Sequence, residues 1–126
     1  MGTHIIRGGG GEQLQVEIDG ALAVDAIGTA TAASGAATLN KATGVITSES
    51  LTTADADTPY TLTLTNSKIK ATSVVLASVG LGSATTGTPQ IVSVTPAAGS
   101  VVILVWNVSA SAAFNGTIKV AFTVLN

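Results

Sequence analysis

Regular alternation of apolar and polar residues constrains the fold of this chain more than any other feature. The pattern is clearest in residues 13–19, 61–65 and 117–124, where an apolar side chain occupies every second position. A period of two predicts β-strands that bury one face and expose the other, as antiparallel sheets allow. Further β-rich runs occupy residues 73–79, 90–95 and 100–108, and residues 44–48 and 21–27 are weaker candidates.

Turn-forming residues separate these runs, so we predict roughly seven to nine short strands. Asn115 and Gly116 predict a two-residue hairpin into the last strand, because both residue types tolerate the positive φ that it needs. Residues 28–37 are rich in alanine, but Gly28, Gly35 and the lack of a large apolar residue oppose a helix there. The predicted fold is therefore all-β: an antiparallel β-sandwich or jelly roll with an extended glycine-rich N-terminal arm.

The 126 residues are enough for one domain preceded by an arm. We assign residues 1–20 to an extended N-terminal arm with a first short strand, and residues 21–126 to a jelly-roll-like β-sandwich. Residues 1–11 contain five of the 14 glycines, which predicts a flexible segment. Fully extended, such a segment spans up to about 37 Å, well beyond the radius of gyration of about 14 Å for a domain of this length. An unstructured terminus without a role is the alternative.

Small side chains dominate the composition and leave little material for chemistry. Ala, Thr, Gly and Ser make up 64 of the 126 residues, and 10% of residues are charged, against roughly 25% in a typical soluble domain. With no Cys, one His and seven acidic residues, we expect no catalytic site, no cofactor and no metal centre. The net charge of −2 offers no basic patch for nucleic acid, and no apolar run is long enough to cross a membrane.

Three patterns that suggest ligand sites are each too incomplete to predict one. Asp55 and Asp57 offer oxygens for calcium but lack the further acids and the glycine of a calcium loop. His4 and Glu12 form no metal pair, because one imidazole in a glycine-rich arm has no fixed geometry. The glycines at 8–11 lack the Lys and the Ser or Thr that follow in a phosphate loop.

Trp106 ends the most apolar run of the chain, residues 101–106. As a core or intersubunit anchor, this side chain buries far more area than any Ala or Thr. A platform for sugar stacking is the alternative. A surface with little charge and many small residues is typical of one that packs against copies of itself or another protein. We therefore expect an oligomer with cyclic symmetry.

Four segments between residues 36 and 125 carry a resemblance to a known family. They read ATLNKATGVITSE at 37–49, YTLTLTNS at 60–67, SVTPAAGS at 93–100 and SASAAFNGTI at 109–118. Together they are similar to a small β-domain of tailed-bacteriophage virion proteins, which occurs in capsid decoration (cement) proteins and in tail fibre proteins. The first and last segments are the more specific ones.

The resemblance implies a structural role without an enzymatic reaction. It indicates a capsid decoration protein: a homotrimer on the outside of the virion head, made in the host cytoplasm, that binds the major capsid protein and stabilises contacts between its subunits. A short chain with one domain behind a free arm favours this role over a fibre protein, which needs a long shaft. In the arm, Ile5, Ile6 and Arg7 are expected to insert between shell proteins, and Trp106 is a further partner-binding residue.

The alternative role is host recognition by a tail-fibre or tail-tip module. Such a module binds a glycan of the host surface, and Trp106, Tyr60 and the loop at 80–87 are the candidates for that site. Copy number in purified particles distinguishes the two roles, since a shell protein is present in many more copies than a tail protein.

Overall fold

β-strands and loops make up the whole described part of the chain. The computed structural model describes residues 17–18, 21–22, 27–52 and 59–126, and these ranges contain no helix. None of these residues therefore belongs to a helix that could cross a membrane. The strands are β1 Glu17–Ile18, β2 Ala21–Leu22, β3 Gly28–Thr31, β4 Ala36–Thr38, β5 Thr43–Thr47, β6 Tyr60–Thr65, β7 Val74–Leu81, β8 Pro89–Ala97, β9 Ser100–Asn107 and β10 Ile118–Leu125.

Two four-stranded sheets share one apolar core. The first sheet has the strand order β3-β5-β10-β7 and the second sheet has the order β4-β6-β9-β8, while β1 and β2 form a separate pair. Side chains from both sheets form a single buried cluster, which includes Ile46, Leu62, Ile103 and Val120. The prediction of an all-β, sandwich-like fold is confirmed.

Strands β6 and β10 show why the alternating pattern predicts strands. In β6, Leu62 and Leu64 are buried while Thr61, Thr63 and Thr65 are exposed. β10 follows the same rule and buries every second side chain. Burial of each leucine contributes roughly 1.5–3 kcal/mol before the loss of entropy is subtracted, so the apolar set fixes which face of the strand points inward.

Each sheet also contains one parallel strand pair, which the sequence pattern does not predict. β3 runs parallel to β5, and β4 runs parallel to β6. The chain changes sheet at every step from β3 through β4 and β5 to β6. The two strands of each parallel pair are therefore neighbours in space, but along the sequence one strand of the other sheet lies between them. The expectation of purely antiparallel sheets is wrong for these two pairs and correct for the remaining ones.

Asn115 and Gly116 do not form the predicted hairpin turn. Residues 108–117 contain no strand, and neither of the two residues has a positive φ. Asn115 Oδ1 instead accepts hydrogen bonds from a facing loop, the shortest being 2.6 Å from the Thr85 amide. Gly116 permits a close approach to the same loop, because a Cβ there would lie 2.8 Å from the Ala84 amide nitrogen.

Residues 1–16, 19–20, 23–26 and 53–58 lie outside the described residues. The assignment of residues 1–20 to an arm therefore stays a prediction from the sequence, as does the rejection of the metal, calcium and phosphate patterns.

Candidate functional site

Threonine hydroxyls line the outer face of β6 and part of β8 in the second sheet, while β9 presents Val102, Leu104 and Trp106 between them. Thr61, Thr63 and Thr65 are exposed along β6, and on the edge strand β8 the exposed Thr95 pairs with Val102 of β9. Threonine hydroxyls bind water without adding charge. The predicted solvated threonine face is present on this sheet.

Trp106 lies on the same outer face, one residue before the end of β9, and is 41% exposed. Its partner across the ladder is Gln90 of β8. Tyr60 is paired with Val105, whose side chain is fully buried, and Tyr60 packs against the core. The two aromatic rings therefore lie on opposite faces of one sheet, and the structure does not bring them together.

The loop between β7 and β8, residues 82–88, is held by hydrogen bonds from two neighbouring segments. Two hydrogen bonds join Asn115 to Thr85. The backbone amide of Thr85 donates to Asn115 Oδ1 at 2.6 Å, and Asn115 Nδ2 donates to the Thr85 hydroxyl oxygen at 2.8 Å. The Thr88 amide donates to Asn107 Oδ1 at 2.9 Å, which joins the loop to the end of β9. The structure thus brings this loop and the exposed tryptophan to the same end of the second sheet.

The outer face of the first sheet carries threonines and apolar residues, and it forms a groove with a mainly apolar lining. The groove has a volume of about 330 Å³ and crosses the sheet from Ile27, beside β3, to Leu76 on β7. Between them Val45 of β5 lies opposite Ala121 of β10. Ile27 is 69% exposed and Leu76 is 56% exposed. Apolar side chains exposed together on one face are typical of a surface that binds a partner.

Among the described residues, little charge lies at the outward-facing positions of the four strands that form this face. Lys119 is the one charged residue at the outward-facing positions of β3, β5, β7 and β10, where the others are apolar residues, threonines, a serine and a glycine. Within the described ranges, no group of three His, Cys, Asp or Glu residues could hold a metal ion. The face can therefore bind by apolar contact and by hydroxyl hydrogen bonds.

Glu49 is the one acidic residue whose side chain the structure describes, and it is engaged in hydrogen bonds. Its Oε1 accepts a hydrogen bond from the Tyr60 hydroxyl at 2.6 Å, and its Oε2 accepts one from the Gly35 amide at 2.8 Å. Burial alone would raise the pKa of Glu49, but these hydrogen bonds favour the carboxylate and hold its pKa below its usual value. Burial, the hydrogen bond and the negative charge of Glu49 raise the pKa of Tyr60. The carboxylate thus joins the turn before β4 to the start of β6.

We expect the protein to lose stability as the Glu49 carboxylate becomes protonated. A carboxyl group whose pKa is lowered by folding stabilises the native state above its unfolded pKa, and the contribution is lost as the pH falls through the lowered value. Relative to Glu49→Gln, the native chain should be more stable at about pH 7 by less than about 1 kcal/mol, because solvent screens the partly exposed group. Urea denaturation of both proteins between about pH 3 and 7 measures this difference.

The difference between the two proteins should vanish towards the acid end of that range. Tyr60→Phe is the control, since it removes the hydroxyl donor and should weaken the pH dependence without changing the charge at Glu49. A difference that stays constant over the whole range would contradict the stabilising role of the carboxylate.

The partner-binding candidates of the arm, Ile5, Ile6 and Arg7, lie outside the described residues. The long described segment 27–52 begins at Ile27, which lines the groove. This described segment therefore begins beside the groove of the first sheet. Trp106 lies on the outer face of the other sheet, so the structure places it apart from the start of this segment.

Sequence reasoning missed the groove, although β7 carries a signal for it. Apolar residues occupy both alternating sets of positions in β7: Val75 and Val79 point towards the core, while Val74 and Leu76 are exposed on the outer face. A strand that is apolar on both faces is typical of one that is covered on both sides. The outward residues Val74 and Leu76 are therefore typical of a face that packs against another surface.

Comparison with known proteins adds no family to these observations. No protein-family model, no curated protein and no solved structure matches the chain.

Proposed function

We propose that this chain is a bacteriophage capsid decoration protein. It binds the outside of the head as an oligomer and stabilises contacts between major capsid subunits, without catalysing a reaction and without a cofactor. The observation that carries the proposal is the groove on the outer face of the first sheet, where Ile27 and Leu76 are exposed and Lys119 is the one charged residue at the outward-facing strand positions. A face of this kind suits contact with another protein surface better than contact with an ion or a nucleic acid.

The position of Ile27 supports a joint role for the arm and the groove. The chain after the assigned arm reaches the groove at Ile27, so the arm can hold one shell subunit while the groove face lies on another. Ile5 and Ile6 supply apolar contacts in the arm, and Arg7 is able to pair with an acidic group at the rim of the contact.

The resemblance to phage virion domains supports the same role. Its four segments fall on β5 with its flanks, on β6, on the turn between β8 and β9, and on the loop before β10. Jelly-roll connectivity and a homotrimer at local three-fold positions are the finer features that the resemblance implies, and both stay predictions.

A decoration protein of this type stabilises the shell by mass action. It binds the assembled shell and not the separated subunits, so each occupied site adds free energy to assembly. At a free concentration of about 100 times the Kd, the gain is about 2.7 kcal/mol per site. Many sites of modest affinity therefore suffice to hold a shell together.

Recognition of a host glycan by a tail protein is the second candidate function, and the exposure of Trp106 favours it. The indole lies at the same end of the second sheet as the loop 82–88, so a sugar can stack on the ring and bind the loop hydroxyls. Tyr60 does not contribute to such a site, because it packs against the core.

The location of the chain in purified phage particles tests the proposal. A decoration protein is expected on the head, in a copy number that follows the number of major capsid subunits. Detection at the tail alone, together with glycan binding that is lost in Trp106→Ala, would support the second function instead.

A further inference from the structure

Among the described strands, β7 is an edge strand of the first sheet, and β8 of the second sheet lies close to it without pairing with it. The even-numbered residues of β10 form their backbone hydrogen bonds with β5. The 2.7 Å hydrogen bond from the Val124 amide to the Ala42 carbonyl oxygen shows this. The odd-numbered residues bond to β7, and the 2.8 Å bond from the Gly82 amide to the Thr117 carbonyl continues that pattern. No other strand in the described residues pairs with β7. By this alternation, four residues of β7 point their N–H and C=O groups away from the sheet: Val75, Ala77, Val79 and Leu81.

The other three sheet edges are protected against pairing. β3 has four residues and β4 has three, so each offers few backbone groups. β8 has a register shift between Ile91 and Ser93, and it carries Pro89 and Pro96. The backbone groups of successive β8 residues alternate in direction, and the nitrogens of both prolines point away from β9. A proline has no N–H, so these two positions cannot donate a hydrogen bond to a further strand.

Short strands, bulges and prolines are the devices by which proteins prevent pairing between sheet edges. β7 has none of them. It is eight residues long, its register with β10 is regular, and it contains neither proline nor a charged residue.

The backbone of β7 is complementary to a second copy of itself. In an antiparallel pair centred on Ser78, Val75 of one copy faces Leu81 of the other, and Ala77 faces Val79. Each of these pairs can exchange both of its N–H···O=C hydrogen bonds, because all four residues point outward. This register uses every free backbone group of the edge.

The side chains of β7 fit the same register. Leu76, exposed on the outer face, lies opposite Gly80 of the second copy. A Cβ built at Gly80 would meet no atom within 4 Å, so there is open space for the leucine. Because the strand carries no charge, the pairing brings no like charges together.

We propose that two copies of this protein pair through β7, antiparallel about a two-fold axis at Ser78, and so join their first sheets into one continuous sheet. The grooves of the two copies then lie beside the shared edge, since Leu76 and Ser78 line the groove. This two-fold contact is separate from the three-fold contact that the resemblance implies, and it does not depend on binding to a capsid.

A single engineered cysteine tests the register. The chain contains no cysteine, so Ser78→Cys can form a disulfide only between copies. In the proposed register, Ser78 faces Ser78 of the second copy without a direct hydrogen bond between them, so their Cα atoms would be about 4.5 Å apart. Disulfides join residues whose Cα atoms are about 4.4–6.8 Å apart. Thr95→Cys is the matched control, an exposed position on the edge strand of the other sheet.

On non-reducing gels after mild oxidation, Ser78→Cys should give on the order of tenfold more covalent dimer than Thr95→Cys. Equal cross-linking of the two variants would overturn the proposal.

Charge at the edge gives a second, independent test of the same contact. Leu76→Lys should raise the dimer dissociation constant by roughly tenfold or more, because lysine at a sheet edge opposes pairing. Val92→Lys is the control, since Val92 is 48% exposed at the bulge of β8 and outside the proposed contact. Sedimentation equilibrium measures the constants. A native chain that is monomeric at all concentrations, or an oligomer whose mass Leu76→Lys leaves unchanged, would also overturn the proposal.

Discussion

Deletion of residues 1–11 is expected to abolish binding of the protein to phage heads while leaving the sandwich folded. The deleted segment carries Ile5, Ile6 and Arg7 and precedes every described strand. Burial of one isoleucine side chain contributes roughly 1.5–3 kcal/mol, so the loss of two corresponds to a weakening of binding by about 100-fold to 10,000-fold. Cosedimentation with heads that lack the protein measures binding, and urea denaturation measures the fold.

Two further variants separate apolar contact from the length and charge of the arm. The double variant Ile5→Ser with Ile6→Ser keeps the length and the glycines of the arm, and it should reproduce the deletion. Arg7→Ala should weaken binding less, because a charge at the rim of a contact acts mainly on the association rate. Native affinity in the deletion variant would remove the arm from the mechanism.

Replacement of Asn107 by alanine is expected to lower the free energy of unfolding by about 3 kcal/mol or more. The side chain is fully buried. Its Oδ1 accepts hydrogen bonds from the amides of Thr88 (2.9 Å) and Ser109 (3.0 Å), and its Nδ2 donates to the Ala112 carbonyl (2.7 Å). Thr88 is exposed, but Ser109 and Ala112 are half-buried, and each of these two groups left without a partner costs about 1–3 kcal/mol. The corresponding fall in Tm is about 10 °C for a chain of this length, measurable by calorimetry.

Asn115 provides the matched control for this prediction. Its Oδ1 also accepts two amide hydrogen bonds, from Thr85 (2.6 Å) and Thr86 (3.1 Å), but the residue is exposed. Water can replace these bonds in Asn115→Ala, so the loss of stability should stay within about 1 kcal/mol. If the two variants lost the same stability, burial would not be the reason for the effect at Asn107.

The long strands were predictable from the sequence because their side chains alternate between core and solvent. In β6 the sequence specifies both the strand and the face it buries, since Leu62 and Leu64 have no other favourable environment. The same holds for β10. The short strands β3 and β4 consist of Gly, Ala and Thr, and they carry no such signal. Their parallel pairing depends on where the chain crosses between sheets, which local patterns do not encode.

The candidate site was less predictable, because it depends on contacts between distant parts of the chain. Asn115 has the composition of a hairpin turn, yet its side chain binds Thr85, 30 residues earlier, and the backbone follows that contact. Trp106 and Tyr60 are both aromatic, but only the ladder register reveals that they face opposite sides of one sheet. The groove could have been inferred from β7, whose outward residues Val74 and Leu76 are apolar where a solvated strand has polar ones.

The ratio of this chain to the major capsid protein in purified phage particles tests the proposed function most directly. Head and tail fractions are separated, and both proteins are quantified by mass spectrometry with labelled peptide standards. A decoration protein is expected in the head fraction, at a fixed ratio to the major capsid protein from one preparation to the next. Recovery of the chain with tails alone, at a few copies per particle, or with neither fraction would contradict a role in decorating the shell.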